Sequence, residues 1–235
     1  MKLALIGSGA MGQLVASLAR KGGDEIGVVF SSSNTGQTVE EFSAHLKGHD
    51  AAIDFSIANA VLKNVEACAR ARVPLVEGTT GWSQHDRAKQ LVAEYDAALV
   101  YGANFSVGMN IFYRIVQTAS DCFAKIDQYA PFIEEAHHSR KRDAPSGTAL
   151  RLSELMKELY QRDIPIASTR AGYIPGTHRV GFDSEADQVL LTHTARSRQG
   201  FASGALLAAH WIVGRKGVFE FGEVIEEIVE QNRSH

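Results

Sequence analysis

The chain has 235 residues, enough for one to two domains with cores of their own, and its two cysteines, Cys68 and Cys122, exclude a disulfide-stapled scaffold and lack zinc or redox spacing. Hydrophobic residues make up 45% and charged residues 22%, the composition of a chain that folds throughout rather than one that stays disordered. Lys plus Arg total 24 against 27 Asp plus Glu, and the net charge of -3 removes the general attraction to phosphate backbones, so nucleic acid is not an expected partner.

The opening apolar run, Leu3 to Ile6, is shorter than a secretion signal's core, and no stretch approaches the roughly 18 to 20 apolar residues of a membrane span. A cytoplasmic chain with no membrane partner is expected. The first hundred residues alternate short Val- and Ile-rich runs with segments of helical period, which predicts an α/β fold with helices on both faces of a parallel sheet. Strands are predicted at Lys2 to Ile6, Glu25 to Phe30, Ala51 to Phe55, Pro74 to Glu77 and Ala97 to Tyr101. Helices are predicted at Met11 to Arg20, Thr38 to Leu46, Ala58 to Ala71 and Gln84 to Tyr95. Thr38 with Glu41, and Ser83 with Asp86, have the spacing of capping boxes.

After Asn104 the rhythm changes. A helix from Val107 to Ala124, an extended run from Tyr129 to Ala136, a basic loop and a helix from Thr148 to Tyr160 begin a second, α+β domain. Turn signals at Ala171-Gly172 and Pro175-Gly176 precede two alternating runs, His178 to Phe182 and Gln188 to Arg196, suited to an open mixed sheet. An apolar helix from Gly200 to Val213 and an amphipathic tail from Glu223 to Gln231, packed back on the first domain, complete the chain.

Gly7-Ser8-Gly9-Ala10-Met11-Gly12 is a G-x-G-x-x-G placed between the first strand and the first helix. Gly7 permits the tight turn, Gly9 keeps side chains away from an approaching pyrophosphate, and Gly12 allows close helix-to-strand packing. The residues after the second strand, Ser31-Ser32-Ser33-Asn34, lack the acid that binds the ribose of NAD in many such folds. Serines suit a 2′-phosphate but no Arg or Lys stands beside them, so NADH and NADPH both remain open. Asp54-Phe55-Ser56, Gly78-Thr79-Thr80-Gly81 and Gly102-Ala103-Asn104-Phe105-Ser106 sit at further strand ends, which converge on the dinucleotide crevice of an open parallel sheet.

The densest constellation runs from Glu134 to Thr148. Five of the six residues from His137 to Arg142 are cationic or can become so, and Ser146-Gly147-Thr148 then opens a helix whose free N–H groups suit a carboxylate or phosphate. Asp143 is placed to orient a cation or cap that helix. His137 and His138 are adjacent and point to opposite sides of an extended chain, without the spacing that supplies further ligands, so no metal is expected. A histidine beside cations serves better as a proton or hydrogen-bond donor to a carboxylate. His45, His49, His85 and His235 read as surface residues, and His178, His193 and His210 as structural ones.

The run from Glu135 to Ala149, with Glu-Ala-His-His, Lys141 and Asp143-Ala-Pro-Ser-Gly-Thr-Ala, resembles the signature of the dihydrodipicolinate (4-hydroxy-tetrahydrodipicolinate) reductase family of bacterial lysine and diaminopimelate synthesis. The glycine fingerprint, Asp54-Phe55-Ser56, Gly78 to Gly81, Asn104 to Gly108, Thr192-His193, Ser197-Arg198 and Phe201 to Ala205 extend the likeness over almost the whole chain. The resemblance implies a Rossmann-like dinucleotide-binding domain of residues 1–106 and 211–235, and a substrate-binding and tetramerisation domain of residues 107–210 joined to it by a hinge.

It also implies reduction of a cyclic dicarboxylate by NADH or NADPH, with hydride delivered to C4. His137 would be the proton donor and Lys141 the catalytic lysine, while His138, Gly147 and Thr148 would hold the substrate's carboxylates; the helix-start reading adds Ser146 to these substrate-binding residues. Nucleotide contacts would fall on Gly7, Ser8, Gly9, Ala10, Met11 and Gly12, on Gly78, Thr79 and Thr80, and on Gly102, Ala103, Asn104 and Phe105; the serine run after the second strand adds Ser31 as a further candidate. Ser139 and Arg140 stand where many members carry Arg and His, and the chain is shorter than many relatives. The other readings are a nicotinamide-binding sensor that does not turn over and a different two-domain dehydrogenase of amino-acid metabolism.

Overall fold

The computed structural model describes residues 1–31 and 36–231. Two compact units divide them. The first comprises Met1–Val107 with the segment that begins at Gln199, and the second is Gly108–Arg198.

In the first unit, strands β1 (Lys2–Ile6), β2 (Glu25–Phe30), β3 (Ala51–Asp54), β4 (Leu75–Glu77), β5 (Ala98–Tyr101) and β10 (Gly217–Glu220) form one parallel sheet in the order β10-β5-β4-β3-β1-β2. Strand order reverses at β1, with β2 on one side and β3 on the other, the switch point at which such sheets open a crevice beyond their carboxyl ends. The central strands β1, β3 and β4 are buried almost end to end, because helices cover both faces. Helices α1 (Ala10–Lys21), α7 (Gln199–Ile212) and α8 (Phe221–Gln231) pack over Leu3, Leu5, Ile53 and Val100 on one face. On the other, α2 (Val39–Leu46), α3 (Val61–Ala71) and α4 (His85–Glu94) pack over Ala4, Ile6, Ala52, Leu75 and Leu99. This is the predicted Rossmann-like architecture.

Local chemistry sets the helix starts. Thr38 caps α2 in the expected box, its hydroxyl accepting from Glu41 N and the Glu41 carboxylate accepting from Thr38 N. The second predicted box does not form: α4 begins at His85 behind Gln84, with no side-chain cap, and the Trp82 and His85 rings lie 3.9 Å apart where Ser83 and Asp86 were expected to bond. Strand β10, absent from the sequence reading, is four residues between Lys216 and Phe221, too short to show a period; parallel pairing with β5 makes it a strand. Helix α7 also lies wholly in the first unit, whereas the sequence reading returned the chain there only at residue 211. Its small residues explain the placement: Gly204 sits so close to the Phe105 carbonyl that a Cβ there would overlap it.

The second unit is a mixed four-stranded sheet, order β7-β6-β8-β9, of β6 (Ala130–His137), β7 (Ile166–Arg170), β8 (Thr177–Asp183) and β9 (Gln188–Thr194). β6 pairs parallel to β7 and antiparallel to β8, which pairs antiparallel to β9. Helices α5 (Val107–Phe123) and α6 (Gly147–Tyr160) cover one face through Met109, Phe112, Val116, Ala149, Leu152 and Met156, set against Ile133, Val180 and Phe182. The open mixed sheet was expected. β7 was not, since this edge strand is mostly exposed and its sequence, Ile-Ala-Ser-Thr-Arg, carries no alternation. No helix among the described residues is long and apolar enough to cross a membrane.

The glycine turn supplies a direct check on the packing. A Cβ at Gly12 would collide with the Gly7 carbonyl oxygen, while one at Gly9 would meet nothing within 4 Å. Gly12→Ala should therefore cost about 1–3 kcal/mol of stability in urea unfolding, and Gly9→Ala less than about 1 kcal/mol, the loss expected at a helix N-cap.

Candidate active site

The residues expected to contact a nucleotide lie at the strand ends of the first unit. Gly7 holds φ +102°, and a Cβ there would lie 2.5 Å from the Phe55 carbonyl oxygen, so the turn needs glycine on both counts. Ser8, Gly9 and Ala10 are exposed at the start of α1, where first-turn N–H groups lack helical partners and no atom of the described residues comes within 4 Å of a Cβ at Gly9. These features fit a pyrophosphate. Across the switch point, Ser56 N donates to Asp54 Oδ1 at 2.7 Å and to Thr79 Oγ1 at 3.1 Å, and Thr79 N donates to Glu77 Oε1 at 2.7 Å. The loops after β3 and β4 are thus tied to each other. Gly78 packs so close to the Phe55 ring that a Cβ would overlap it, and Thr80 is exposed.

After β5, Asn104 Oδ1 accepts from Ser106 N at 2.9 Å, and Gly102 and Ala103 lie in the same turn, Ala103 exposed. Phe105 differs from the expectation for its side chain. Its ring is buried in the core, 4.6 Å from Phe221, so only its backbone is available to a ligand. Ser31 directly follows β2, while Ser32, Ser33 and Asn34 lie outside the described residues.

The second unit assembles the His-Lys loop around a residue the sequence reading did not single out. Glu135, buried on β6, accepts from Arg170 of β7 through both guanidinium amines (Nη1 to Oε2 2.9 Å, Nη2 to Oε1 2.7 Å), from Ser146 N at 3.3 Å and from the Ser168 hydroxyl, and it pairs with Nδ1 of His137. Burial alone would raise the Glu135 carboxyl, but these bonds outweigh it and hold it down to about 2, so it is an anion at every working pH. With Nδ1 turned to Glu135, the other ring nitrogen of His137 faces Gly176. Burial lowers the His137 pKa and Glu135 partly offsets this, leaving the imidazole largely neutral near pH 7.

Arg170 also donates to the Asp143 carbonyl at 2.5 Å, and the loop is pinned by Ser139 N to Gly172 O and Ala171 N to His137 O. Lys141 is half-buried, with Nζ 2.8 Å from Asp143 Oδ1, and the Asp143 carboxylate also accepts from Gly147 N. Asp143 therefore both pairs a cation and satisfies the opening of α6. Lys141 and Gly147 N–H meet at one carboxylate. No atom lies within 4 Å of a Cβ built on Gly147, and Thr148 is half-buried and hydrogen-bonded to Tyr113. His138 keeps a buried Nδ1 with no hydrogen-bond partner.

Ser146 is a correction. Its hydroxyl is buried as the N-cap of α6, accepting from Ala149 N at 3.3 Å and lying 3.1 Å from Nε2 of His178, so it holds the helix start rather than presenting an oxygen to substrate. His178 sits opposite Glu135 in the β6–β8 register, its ring 5.1 Å from that of His137, and burial lowers it to about 4. The ligand atoms of Glu135, His137 and His178 come within 4.8 Å of one another, a metal-like spacing. The chemistry does not fit a cation: both Glu135 oxygens are already taken by Arg170, and Lys141 adds a further positive charge.

Two family models match the chain: "Dihydrodipicolinate reductase, N-terminus" over residues 1–105 and "Dihydrodipicolinate reductase, C-terminus" over residues 108–225. The chain belongs to the dihydrodipicolinate reductase family. Among its relatives, the 4-hydroxy-tetrahydrodipicolinate reductase of Christiangramia forsetii is 34% identical over 241 residues, covering 97% of this chain and 99% of its own length. That of Anaeromyxobacter dehalogenans is 35% identical over 240 residues, with 93% and 84% covered. A solved dihydrodipicolinate reductase from Paenisporosarcina sp. TG-14, with dipicolinate bound, shares the fold at a TM-score of 0.79 and 21% identity over 94% of this chain and 97% of that one. An amine dehydrogenase from Mycobacterium smegmatis shares it at 0.64 and 10% identity over 94% and 95%. The fold frame thus serves several dehydrogenases, and the reductase family is distinguished by its sequence.

His178 carries a stability consequence. A histidine held neutral by the fold at about 4 against an unfolded value near 6.5 means that the unfolded chain binds the extra proton between these values. Unfolding free energy should fall as pH drops through that window, by on the order of 3 kcal/mol from this group. Urea titrations of wild type and His178→Gln should show the slope reduced in the variant.

Proposed function

We propose that the chain reduces 4-hydroxy-tetrahydrodipicolinate, or the dihydrodipicolinate formed from it by loss of water, to tetrahydrodipicolinate, with NADH or NADPH as reductant, in lysine and diaminopimelate synthesis. Family membership over both halves of the chain carries this reading. The geometry that supports it is the meeting of Lys141 and the Gly147 amide at one carboxylate, with the hydrogen-bonded imidazole of His137 within electrostatic reach of Lys141. The substrate is a dianion, and two carboxylates need two cationic or N–H-rich places. The opening of α6 at Gly147 and Thr148, with Lys141 and His138, offers them once the Asp143 carboxylate is displaced.

The glycine turn would hold the pyrophosphate of a reduced pyridine dinucleotide, whose nicotinamide would supply the hydride. Hydride added at C4 of the conjugated ring pushes an electron pair toward the ring nitrogen and leaves an enamine that needs a proton at carbon. His137 gives it. The free imidazole is largely neutral, but two substrate carboxylates beside it favour the imidazolium, so binding charges the acid at the place of use. Glu135 keeps the ring oriented by accepting from Nδ1 while Nε2 transfers the proton. Lys141 holds a substrate carboxylate and keeps the developing charge neutralised. A homotetramer and a cytoplasmic location complete the reading by family architecture.

Freshly generated synthase product added to the enzyme should oxidise NADH, NADPH or both, followed by absorbance, and no oxidation of either would end the reading. His137→Ala should lower kcat by about 10²-fold or more with the fold retained, the usual size of a general-acid contribution. Wild-type turnover in that variant would remove His137 from its role.

A further inference from the structure

Two carboxyl groups lie beneath the nucleotide loops, and the mechanism above uses neither. Asp54 and Glu77 are register partners on β3 and β4, both 0% exposed. Asp54 accepts from Ser56 N at 2.7 Å and from Asn64 Nδ2 at 2.6 Å, and Asn64 also bridges to Ser56 Oγ at 3.2 Å. Glu77 accepts from Thr79 N through Oε1, while its buried Oε2 has no donor among the described residues. Among the described residues, the groups that face the pair are Ser56 and Thr79 on the loops and Asn64 and Cys68 on α3, and none of these is a cation.

Two adjacent carboxylates, fully buried and without a cation, do not both ionise. Burial raises the Asp54 carboxyl as well, but Asp54 has the better donors, Ser56 N and Asn64 Nδ2, so the one charge rests mainly there. Burial and the neighbouring Asp54 push the Glu77 carboxyl well up. A proton on Oε2 gives the orphaned oxygen its partner, since a neutral acid there donates to Asp54 while Oε1 still accepts from Thr79 N.

We propose that Glu77 is a neutral carboxylic acid sharing its proton with Asp54, and that this pair is a positioning clamp that fixes the loops Phe55–Ser56 and Gly78–Thr80 against each other for the dinucleotide. The proposal rests on the reading that these loops bind nicotinamide nucleotide. Ionisation of Glu77 puts a second charge beside Asp54, drives the strand ends apart and releases the loops, so nucleotide binding weakens on the alkaline side. Gln reproduces the neutral acid, with one oxygen to accept from Thr79 N and an amide to donate to Asp54. Leu reproduces neither.

The test measures NADH and NADPH dissociation constants by fluorescence across pH in wild type, Glu77→Gln and Glu77→Leu, with infrared spectra of each protein in D₂O. Wild type should show the carbonyl stretch of a protonated carboxyl at neutral pH and bind more weakly as that band disappears with rising pH. Glu77→Gln should lack the band, stay within about threefold of wild-type affinity at neutral pH and lose the alkaline weakening, whereas Glu77→Leu should bind about tenfold or more weakly, the scale of a lost buried hydrogen bond. Absence of the band in wild type, or alkaline weakening that persists in Glu77→Gln, would overturn the proposal. Because the band reports on the pair without any ligand, a wild type that shows it but binds neither nucleotide would refute the nucleotide reading and with it the clamp's purpose, and leave the shared proton established.

Discussion

The Glu135 carboxylate is buried, and what it holds defines the second unit's site. Arg170 grips both its oxygens, Ser168 and the Ser146 amide add hydrogen bonds, and His137 turns one ring nitrogen to it. One anion thereby joins β6, β7 and the start of α6, and each of these carries part of the candidate chemistry. A buried charge of this kind is tolerable because its donors are in place, and removing one partner typically costs about 3–5 kcal/mol. A fully coordinated carboxylate gives the His137 ring one fixed orientation, which an acid that protonates carbon requires.

Around that anion the rim is positive. Lys141, Arg170 and the opening of α6 lie close together, and Asp143 rests its carboxylate on Lys141 and on the Gly147 amide. Asp143 thus rests its carboxylate where the proposed substrate carboxylate would bind. His178 stays neutral beside it, fixing the helix start through Ser146 rather than adding charge.

Much of the first unit was legible because its signals are local and repetitive: buried strands alternate with amphipathic helices, and the glycine turn falls where β1 ends. What the sequence hid depends on pairing. β7 and β10 are short or polar and become strands only beside β6 and β5. Glu135 stood in plain view within the signature, but its role requires Arg170, 35 residues away, and no local pattern links them. Ser146 and Phe105 were assigned to ligands by motif, whereas their side chains serve a helix cap and a core. His178 read as structural from its neighbours; cross-strand register brings it to Glu135 and His137, and its bond to Ser146 places it in the frame of the site.

The central claim is that a neutral His137, held by Glu135, becomes an imidazolium when a dicarboxylate settles beside it. Calorimetric titration of pyridine-2,6-dicarboxylate into the enzyme with saturating reduced nucleotide, repeated in buffers of differing ionisation enthalpy near pH 7, counts the protons exchanged on binding. The account predicts net proton uptake that is lost in a variant with His137 replaced by Gln. Binding without uptake, or uptake of the same size in that variant, would contradict it.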